Sequence, residues 1–154
     1  MSEQKTGVRF LEGIPGRTVL PVDSAARKRF PIHTVVNGYF PAAIAAVAKL
    51  CQIGNDKHNP GQPLHWARWK SDDQAECIAR HGMDLGADYG TGRARDEQGV
   101  PQVVYRAWRA LAECQEWLEE HEGAPLPFAC KLNPELAIGQ DAGRDASGPH
   151  ADHS

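Results

Sequence analysis

The segment between Pro101 and Gly123 constrains the fold more than any other part of this chain. Proline suits the first turn of a helix, and glycine suits the position just after its last turn. The apolar residues between them recur at the spacing of one helical face: Val103, Val104, Ala107, Leu111, Cys114 and Leu118. This pattern predicts a long amphipathic helix that buries that face against the rest of the protein.

A shorter helix is predicted earlier in the chain. It begins at Pro41 and runs to about Ile53, and the pair Gly54-Asn55 is expected to end it. Four residues at helical spacing form its predicted buried stripe: Ile44, Val47, Ala48 and Cys51.

A third predicted helix lies between these two and runs from Ser71 to about Leu85. The Ser71 hydroxyl can accept the backbone amide of Gln74 while the Gln74 side chain reaches back, which is a capping box. Asp72 and Asp73 complement the positive end of the helix dipole. The residues predicted to be buried are Ala75, Ile78, Gly82 and Leu85, and a glycine-rich turn over residues 86–99 follows.

These three main helices predict an all-α protein, a small bundle with a long loop between its first two helices. Prolines and glycines interrupt residues 1–23, which are predicted to form an irregular N-terminal arm. The helical domain is predicted over residues 24–132. Residues 133–154 are rich in Gly, Asp and Ser and poor in apolar residues, which predicts a disordered tail. A chain of 154 residues with 41% apolar content fits one such domain.

Composition excludes several classes of function. The formal net charge of −3 provides no basic surface for duplex DNA. No apolar run reaches the roughly 18 residues that a membrane span needs. Four cysteines lie far apart with no CxxC pair, which predicts reduced thiols in a cytoplasmic protein. Cys51, Cys77 and Cys114 are expected to pack in the core.

Residues 54–81 hold a dense group of charged, imidazole and indole side chains. A loop that only joined two helices would rarely need them, because most connections are short and unspecialised. We therefore interpret this stretch as a binding site. Its members are Asp56, Lys57, His58, His65, Trp66, Arg68, Trp69, Lys70, Asp72, Asp73, Glu76, Arg80 and His81.

The acidic residues of this stretch suggest a metal site. Asp73, Glu76 and Arg80 lie three and four residues apart on the predicted helix, and His81 lies on a neighbouring face. Oxygen ligands at this spacing suit Mg²⁺ or Mn²⁺, which retain waters for a phosphate. The alternative is structural: the carboxylates complement the helix dipole, Glu76 and Arg80 form an exposed ion pair, and His81 is a satisfied core histidine. The residues alone leave both interpretations open.

The basic and aromatic residues of the stretch suggest a nucleotide. Cationic donors for a polyphosphate are available from Lys57, His58, Arg68 and Lys70, with Asn59 as a neutral donor. His65, Trp66 and Trp69 offer flat surfaces on which a base can stack. In the alternative, the tryptophans anchor the core and the lysines are solvated. Partial exposure is expected for Trp69 because Arg68 and Lys70 flank it.

Two blocks of this stretch carry a resemblance to a known family. They are GNDKHNPGQPLHW and KSDDQAECIARH, followed by DEQGVP and AWRALAECQEWLEE. Over residues 24–122 the chain resembles the phage-borne dATP/dGTP diphosphohydrolase domain family. The resemblance implies metal-dependent removal of pyrophosphate from purine deoxynucleoside triphosphates, carried out in the cytoplasm of an infected host cell.

The hydrolase hypothesis assigns three groups of residues. A divalent metal (Mg, Mn or Co) is expected at Asp73, Glu76, His81 and Asp96. Catalysis is assigned to Glu76, His81 and Glu97. Substrate binding is assigned to Lys57, His58, Asn59, His65, Arg68, Lys70 and Arg80.

The chain departs from the family pattern at Gln102 and Tyr105, where the family carries histidine. Glutamine is a poor metal ligand and cannot act as a general base near neutral pH. A second hypothesis follows: a catalytically silent phage protein that binds a nucleotide or inhibits a host defence complex by protein contact. Either protein is compatible with a homodimer, since three helices give a thin core for a monomer.

Overall fold

A computed structural model describes residues 19–86 and 94–131 of the chain. These residues are mostly helical, which agrees with the predicted all-α class. Their helices are α1 (Ser24–Arg27), a π-helical segment (His33–Tyr39), α2 (Pro41–His58), a single 3-10 turn (Arg68–Lys70), α3 (Gln74–Gly86) and α4 (Gln102–Glu122). The predicted tail, most of the N-terminal arm and the centre of the 86–99 turn lie outside the described residues.

Two short strands, β1 (Trp66–Ala67) and β2 (Cys130–Lys131), pair in parallel. This pairing returns the chain that follows α4 to the loop between α2 and α3. Within the described residues no single helix is long and apolar enough to cross a membrane; the π-helical segment and α2 reach that length and composition only together, and they are bent by 87°.

Helix α2 is longer than predicted and buries a different face. It continues through Gly54 and Asn55 to His58, and the turn at Pro60 and Gly61, with a positive φ of 75° at Gly61, follows it. Asn55 does not break the helix because its side-chain amide donates to the carbonyl of Gln62 at 2.9 Å. Leu50 and Asn55 are buried, whereas Ile44 and Ala48 of the predicted stripe are exposed and Val47 and Cys51 are half-buried.

Helix α3 begins at Gln74, three residues later than predicted. The predicted reciprocal capping box does not form: the Ser71 hydroxyl donates to the Asp73 carboxylate at 2.9 Å, and only the Gln74 side chain reaches back, to the Ser71 carbonyl at 3.3 Å. Gln74 and Cys77 are its buried residues; of the residues predicted to be buried, Ala75 is exposed and Ile78, Gly82 and Leu85 are half-buried.

The predicted limits of α4 agree with the structure, but its predicted buried face is only partly correct: Val104 is buried in the core, and Ala107 and Leu118 are half-buried. Pro101 precedes the helix, and Gly123 ends it in the left-handed region at φ 72°. Val103 and Leu111 are 52% and 55% exposed, and Cys114 is also exposed.

We call the opposite side of α4 its inner face, because its residues contact α3 and the loops. It comprises Gln102, Tyr105, Arg109, Ala112 and Glu119. Four of these five residues are polar, and each of the four makes a side-chain hydrogen bond to another element. Apolar periodicity therefore identified Val104 correctly, but Val103, Leu111 and Cys114 of the same predicted face are exposed.

The apolar core is small. Leu50 of α2 packs against Val100 and Val104, and Val47, Ile53, Tyr105 and Trp108 are among the half-buried residues that surround them. Trp66 packs edge-to-face on Trp108 with a centroid distance of 5.8 Å, so it is a packing residue.

A bidentate ion pair holds the loop between α2 and α3 against α4. Arg68 donates from both terminal nitrogens to the two carboxylate oxygens of Glu119, each at 2.6 Å. Its guanidinium also lies 4.2 Å from the centroid of the Trp66 ring. Both partners are largely buried, with side-chain exposures of 13% and 12%. Arg68 is therefore engaged in the fold, which argues against its predicted contact with substrate.

Glu119→Ala is expected to lower the free energy of unfolding by about 3 kcal/mol, because it leaves a buried guanidinium without its counter-charge. The double substitution Arg68→Met with Glu119→Leu is expected to recover most of that loss. Glu120→Ala is the control: this side chain is 78% exposed, and the change is expected to stay within about 0.5 kcal/mol. Urea denaturation measures all three, and equal losses for the two glutamates would contradict this assignment.

Candidate functional site

Four side chains from α3, α4 and the turn before α4 form one connected group, which we call the His81 cluster: His81, Asp96, Gln102 and Tyr105. His81 Nδ1 lies 2.7 Å from Gln102 Oε1. The rings of His81 and Tyr105 stack with centroids 4.7 Å apart and an interplanar angle of 17°. The Tyr105 hydroxyl donates to Asp96. The two positions that depart from the family pattern are thus direct neighbours of the predicted ligands His81 and Asp96.

The hydrogen bond to Gln102 determines the proton position on His81. An amide oxygen can only accept, so Nδ1 of His81 carries the proton in this arrangement. In the neutral ring, Nε2 is then an acceptor. His81 can therefore accept a proton or a hydrogen bond at Nε2, while Gln102 fixes its orientation.

Asp96 is built into the turn that leads to α4. Its Oδ1 accepts the backbone amides of Gln98 at 2.9 Å and Val100 at 2.8 Å. Partial burial raises the pKa of Asp96, but hydrogen bonds from Tyr105 and from these amides, together with the charge of Lys57, give it a net lowered pKa. Asp96 is therefore a carboxylate at neutral pH, and Lys57 at the end of α2 is close enough to act on it.

A second group lies where the loop after α2 closes, and we call it the cationic surface: Lys57, His58, Asn59 and Lys70. Lys70 Nζ donates to Asn59 Oδ1 at 3.2 Å, which ties the end of the loop to the end of α2. Lys57, His58 and Lys70 are exposed. Four of the seven predicted substrate-binding residues therefore lie on one surface.

The start of α3 is occupied by contacts among its own residues. Arg80 donates to Asp73 at 2.7 Å, and Cys77 Sγ lies 3.4 Å from the same carboxylate. The hydrogen bonds from Arg80, Ser71 and Cys77 hold the pKa of Asp73 well below its usual range. Arg80 and Asp73 thus satisfy each other, as the structural alternative expected of acidic and basic residues on this helix, although the predicted partner of Arg80 was Glu76.

The remaining predicted site residues lie apart from the His81 cluster or on exposed positions. Glu76 is exposed on the first turn of α3, and Glu97 is exposed in the turn before α4. His65 contacts the Pro63 carbonyl at 2.9 Å through Nδ1. Trp69 is 39% exposed, as its charged neighbours predicted.

The four predicted metal ligands do not converge. Asp73 and His81 are eight residues apart on α3, which corresponds to about 12 Å along the helix. Throughout residues 19–86 and 94–131, no three His, Cys, Asp or Glu side chains form a group that could hold a metal ion. His81 and Asp96 do come together, but Tyr105 lies between them and both oxygens of Asp96 already accept hydrogen bonds. The residues present therefore do not fit a divalent ion.

Arg109 is a site residue that sequence reasoning missed. It donates to the Ser71 hydroxyl at 2.7 Å and to Gln74 Oε1 at 2.9 Å, and it lies 5.0 Å from the centroid of Trp108. Its position seven residues after Gln102 and four after Tyr105, at helical spacing on the same face, is the sequence signal that would have indicated it.

Comparison with protein-family models, with curated protein sequences and with solved structures gave no match.

Tyr105 is expected to ionise only near pH 12, since partial burial and the hydrogen bond to Asp96 raise its pKa to about 12. Folding raises this pKa, so its contribution to stability is complete below about pH 10 and is lost as the pH rises through the folded value. The difference in phenolate absorbance between the parent and Tyr105→Phe, followed against pH, gives the ionisation of Tyr105 alone. Asp96→Ala is expected to move the step toward about 10; no movement would show that Asp96 is not its partner.

Proposed function

We propose that this chain binds a purine deoxynucleoside triphosphate at the cationic surface and does not hydrolyse it efficiently. The contact between Lys70 and Asn59 carries the proposal, because it brings Lys70 from the far end of the loop to the end of α2, where the exposed residues Lys57 and His58 immediately precede Asn59. A triphosphate offers several anionic oxygens to such donors, and charge-assisted hydrogen bonds are the strong ones. Trp69, next to Lys70 in sequence and partly exposed, is the side chain that we assign to stacking on the base.

The limit on hydrolysis follows from the His81 cluster. Metal-assisted attack on a triphosphate needs ligands that leave positions open for water and phosphate. In this chain both carboxylate oxygens of Asp96 already accept hydrogen bonds, from two backbone amides and from Tyr105, so Asp96 offers no open oxygen beside His81. Binding by positive side chains does not depend on that site, so affinity for a nucleotide can persist without turnover.

The choice of a purine deoxynucleotide, of phage origin and of the host-cell cytoplasm rests on the resemblance of the loop and α3 blocks to the dATP/dGTP diphosphohydrolase family. These three assignments are proposals, as is the assignment of a nucleotide as the ligand. The hypothesis of a catalytically silent protein has a second form, in which the protein inhibits a host defence complex by direct contact.

Hydrolysis by the unaltered chain is the second candidate function. The observation that favours it is the orientation of His81: its Nε2 is left as an acceptor, and Lys57 acts on the neighbouring Asp96. A histidine held in this way can serve as a general base for water near neutral pH.

Lys57→Ala and Lys70→Ala are each expected to weaken dATP or dGTP binding about tenfold at low salt, because each removes one charge-assisted contact. The loss should shrink as salt is added, since the contacts are exposed. Lys49→Ala, on an exposed position two turns earlier in α2, is the matched control. Calorimetric titration gives the affinities, and equal binding by all four proteins would remove the phosphate assignment.

The double substitution Gln102→His with Tyr105→His is expected to create a divalent-metal site, because it places two more imidazoles beside His81 and Asp96. Co²⁺ absorbance and calorimetry with Mn²⁺ report the binding directly, and the parent is the control. Hydrolysis of dATP or dGTP is expected to rise by about 10² over the parent. Brisk turnover by the parent, with no gain in the variant, would favour the second candidate function; circular dichroism verifies that the variant is folded.

A further inference from the structure

Helix α4 carries a second ordered face on the side opposite its inner face. Its residues recur at alternating spacings of four and three, and we call them the outer face: Val103, Ala107, Ala110, Cys114 and Trp117. This is the spacing of a helix that packs along another helix in a coiled coil. The inner face is already used by α3 and the loops, so these residues have no role in the contacts described above.

The outer face is left largely exposed by the chain itself. Val103 and Trp117 are 52% and 50% exposed, and Ala110 and Cys114 are exposed as well. A groove of about 320 Å³ continues this surface toward α2 and is lined by Phe40, Ala43, Ile44, Val47, Ala107, Ala110 and Leu111. An apolar surface that extends over two helices indicates an interaction site rather than a scattering of single exposed residues.

The described residues also bury little apolar material among themselves. Their buried hydrophobic residues are Leu50, Cys77, Val100, Val104 and Ala112, and none of their side chains is fully buried. Small domains gain only marginal stability from a limited core. Covering the outer face would add to this limited burial, and a second copy of the chain is the partner that is always present with it.

The charges beside the outer face fit a second copy in one orientation. Arg106 and Glu113 are exposed on the same edge of α4. In an antiparallel pair centred on Ala110, Val103 of one copy lies opposite Trp117 of the other. Arg106 lies opposite Cys114, about 1.5 Å along the helix from Glu113, which both long side chains can span. Both crossed pairs form at once because the arrangement is two-fold symmetric. Small side chains at Ala107 and Ala110 allow the two helices to approach closely at the centre.

We propose that the protein is a homodimer in which the outer faces of two α4 helices pack antiparallel about Ala110, with the groove along α2 beside the centre of the interface in each copy. The proposal does not rest on the nucleotide hypothesis. The inner faces point away from the two-fold axis, so the dimer presents two separate His81 clusters.

Sedimentation equilibrium of the full chain tests the proposal. The parent is expected to be a dimer, and Ala110→Glu is expected to raise the dimer dissociation constant at least about 100-fold, because it places two like charges together at the axis. Ala79→Glu makes the same change at an exposed alanine of α3 and is expected to leave the dimer intact. A monomeric parent, or a dimer that Ala110→Glu does not weaken, would overturn the proposal. If the parent is monomeric and a different protein binds the outer face, the outer face belongs to that interaction and the homodimer is wrong.

Charge exchange tests the orientation and does not depend on whether Ala110→Glu folds. Arg106→Glu and Glu113→Arg are each expected to weaken the dimer about tenfold, and the double exchange is expected to restore it. Oxidation to a disulfide gives an independent test of the orientation. In the antiparallel pair the two Cys114 residues are about 12 Å apart along the helix axis, which is too far for a disulfide. Rapid cross-linking through Cys114, or no rescue by the double exchange, would exclude the antiparallel arrangement.

Discussion

The structure depends on a helix that is held to its neighbours mainly by polar side chains. From one end of α4 to the other, Gln102 contacts His81, Tyr105 contacts Asp96, Arg109 contacts Ser71 and Gln74, and Glu119 contacts Arg68. Each such bond adds only about 1 kcal/mol net, but leaving one buried partner unpaired costs about 1 to 3 kcal/mol. The arrangement therefore specifies how α3 and the loop dock more than it adds to stability.

The same constraint determines what the candidate site can do. Gln102 and Tyr105 are at once the residues that dock the start of α4 and the residues that engage His81 and Asp96. A metal at this position would need an oxygen of Asp96 released from Tyr105, which would also remove one of the docking contacts. The proposed loss of hydrolysis and the local packing are consequences of one pair of residues, whereas the cationic surface lies on other elements and is independent of them.

Sequence patterns located the helices but not the faces that they bury. The ends of α4 follow from Pro101 and Gly123, whose backbone preferences are local. Apolar spacing predicted the buried face only in part, because Val104 is buried beside the polar residue Gln102, while Val103, Leu111 and Cys114 are exposed. Asn55 misled in the same way: its preference for ending helices was overridden by a tertiary contact to Gln62.

The predicted site residues show the same difference between local contacts and contacts that are distant in sequence. The sequence identified that Lys57, Asn59 and Lys70 belong together, because a loop brings its own ends into contact. It could not indicate that Arg68 is engaged by Glu119, fifty-one residues away, since an arginine in a charged loop is equally suited to a phosphate and to a buried carboxylate. The two sides of α4 differ in what they contact: polar contacts on the inner face order the candidate site, and the outer face is the exposed apolar surface that we assign to the proposed dimer. Changes on one side can therefore alter binding without altering association, because the two faces share no residue.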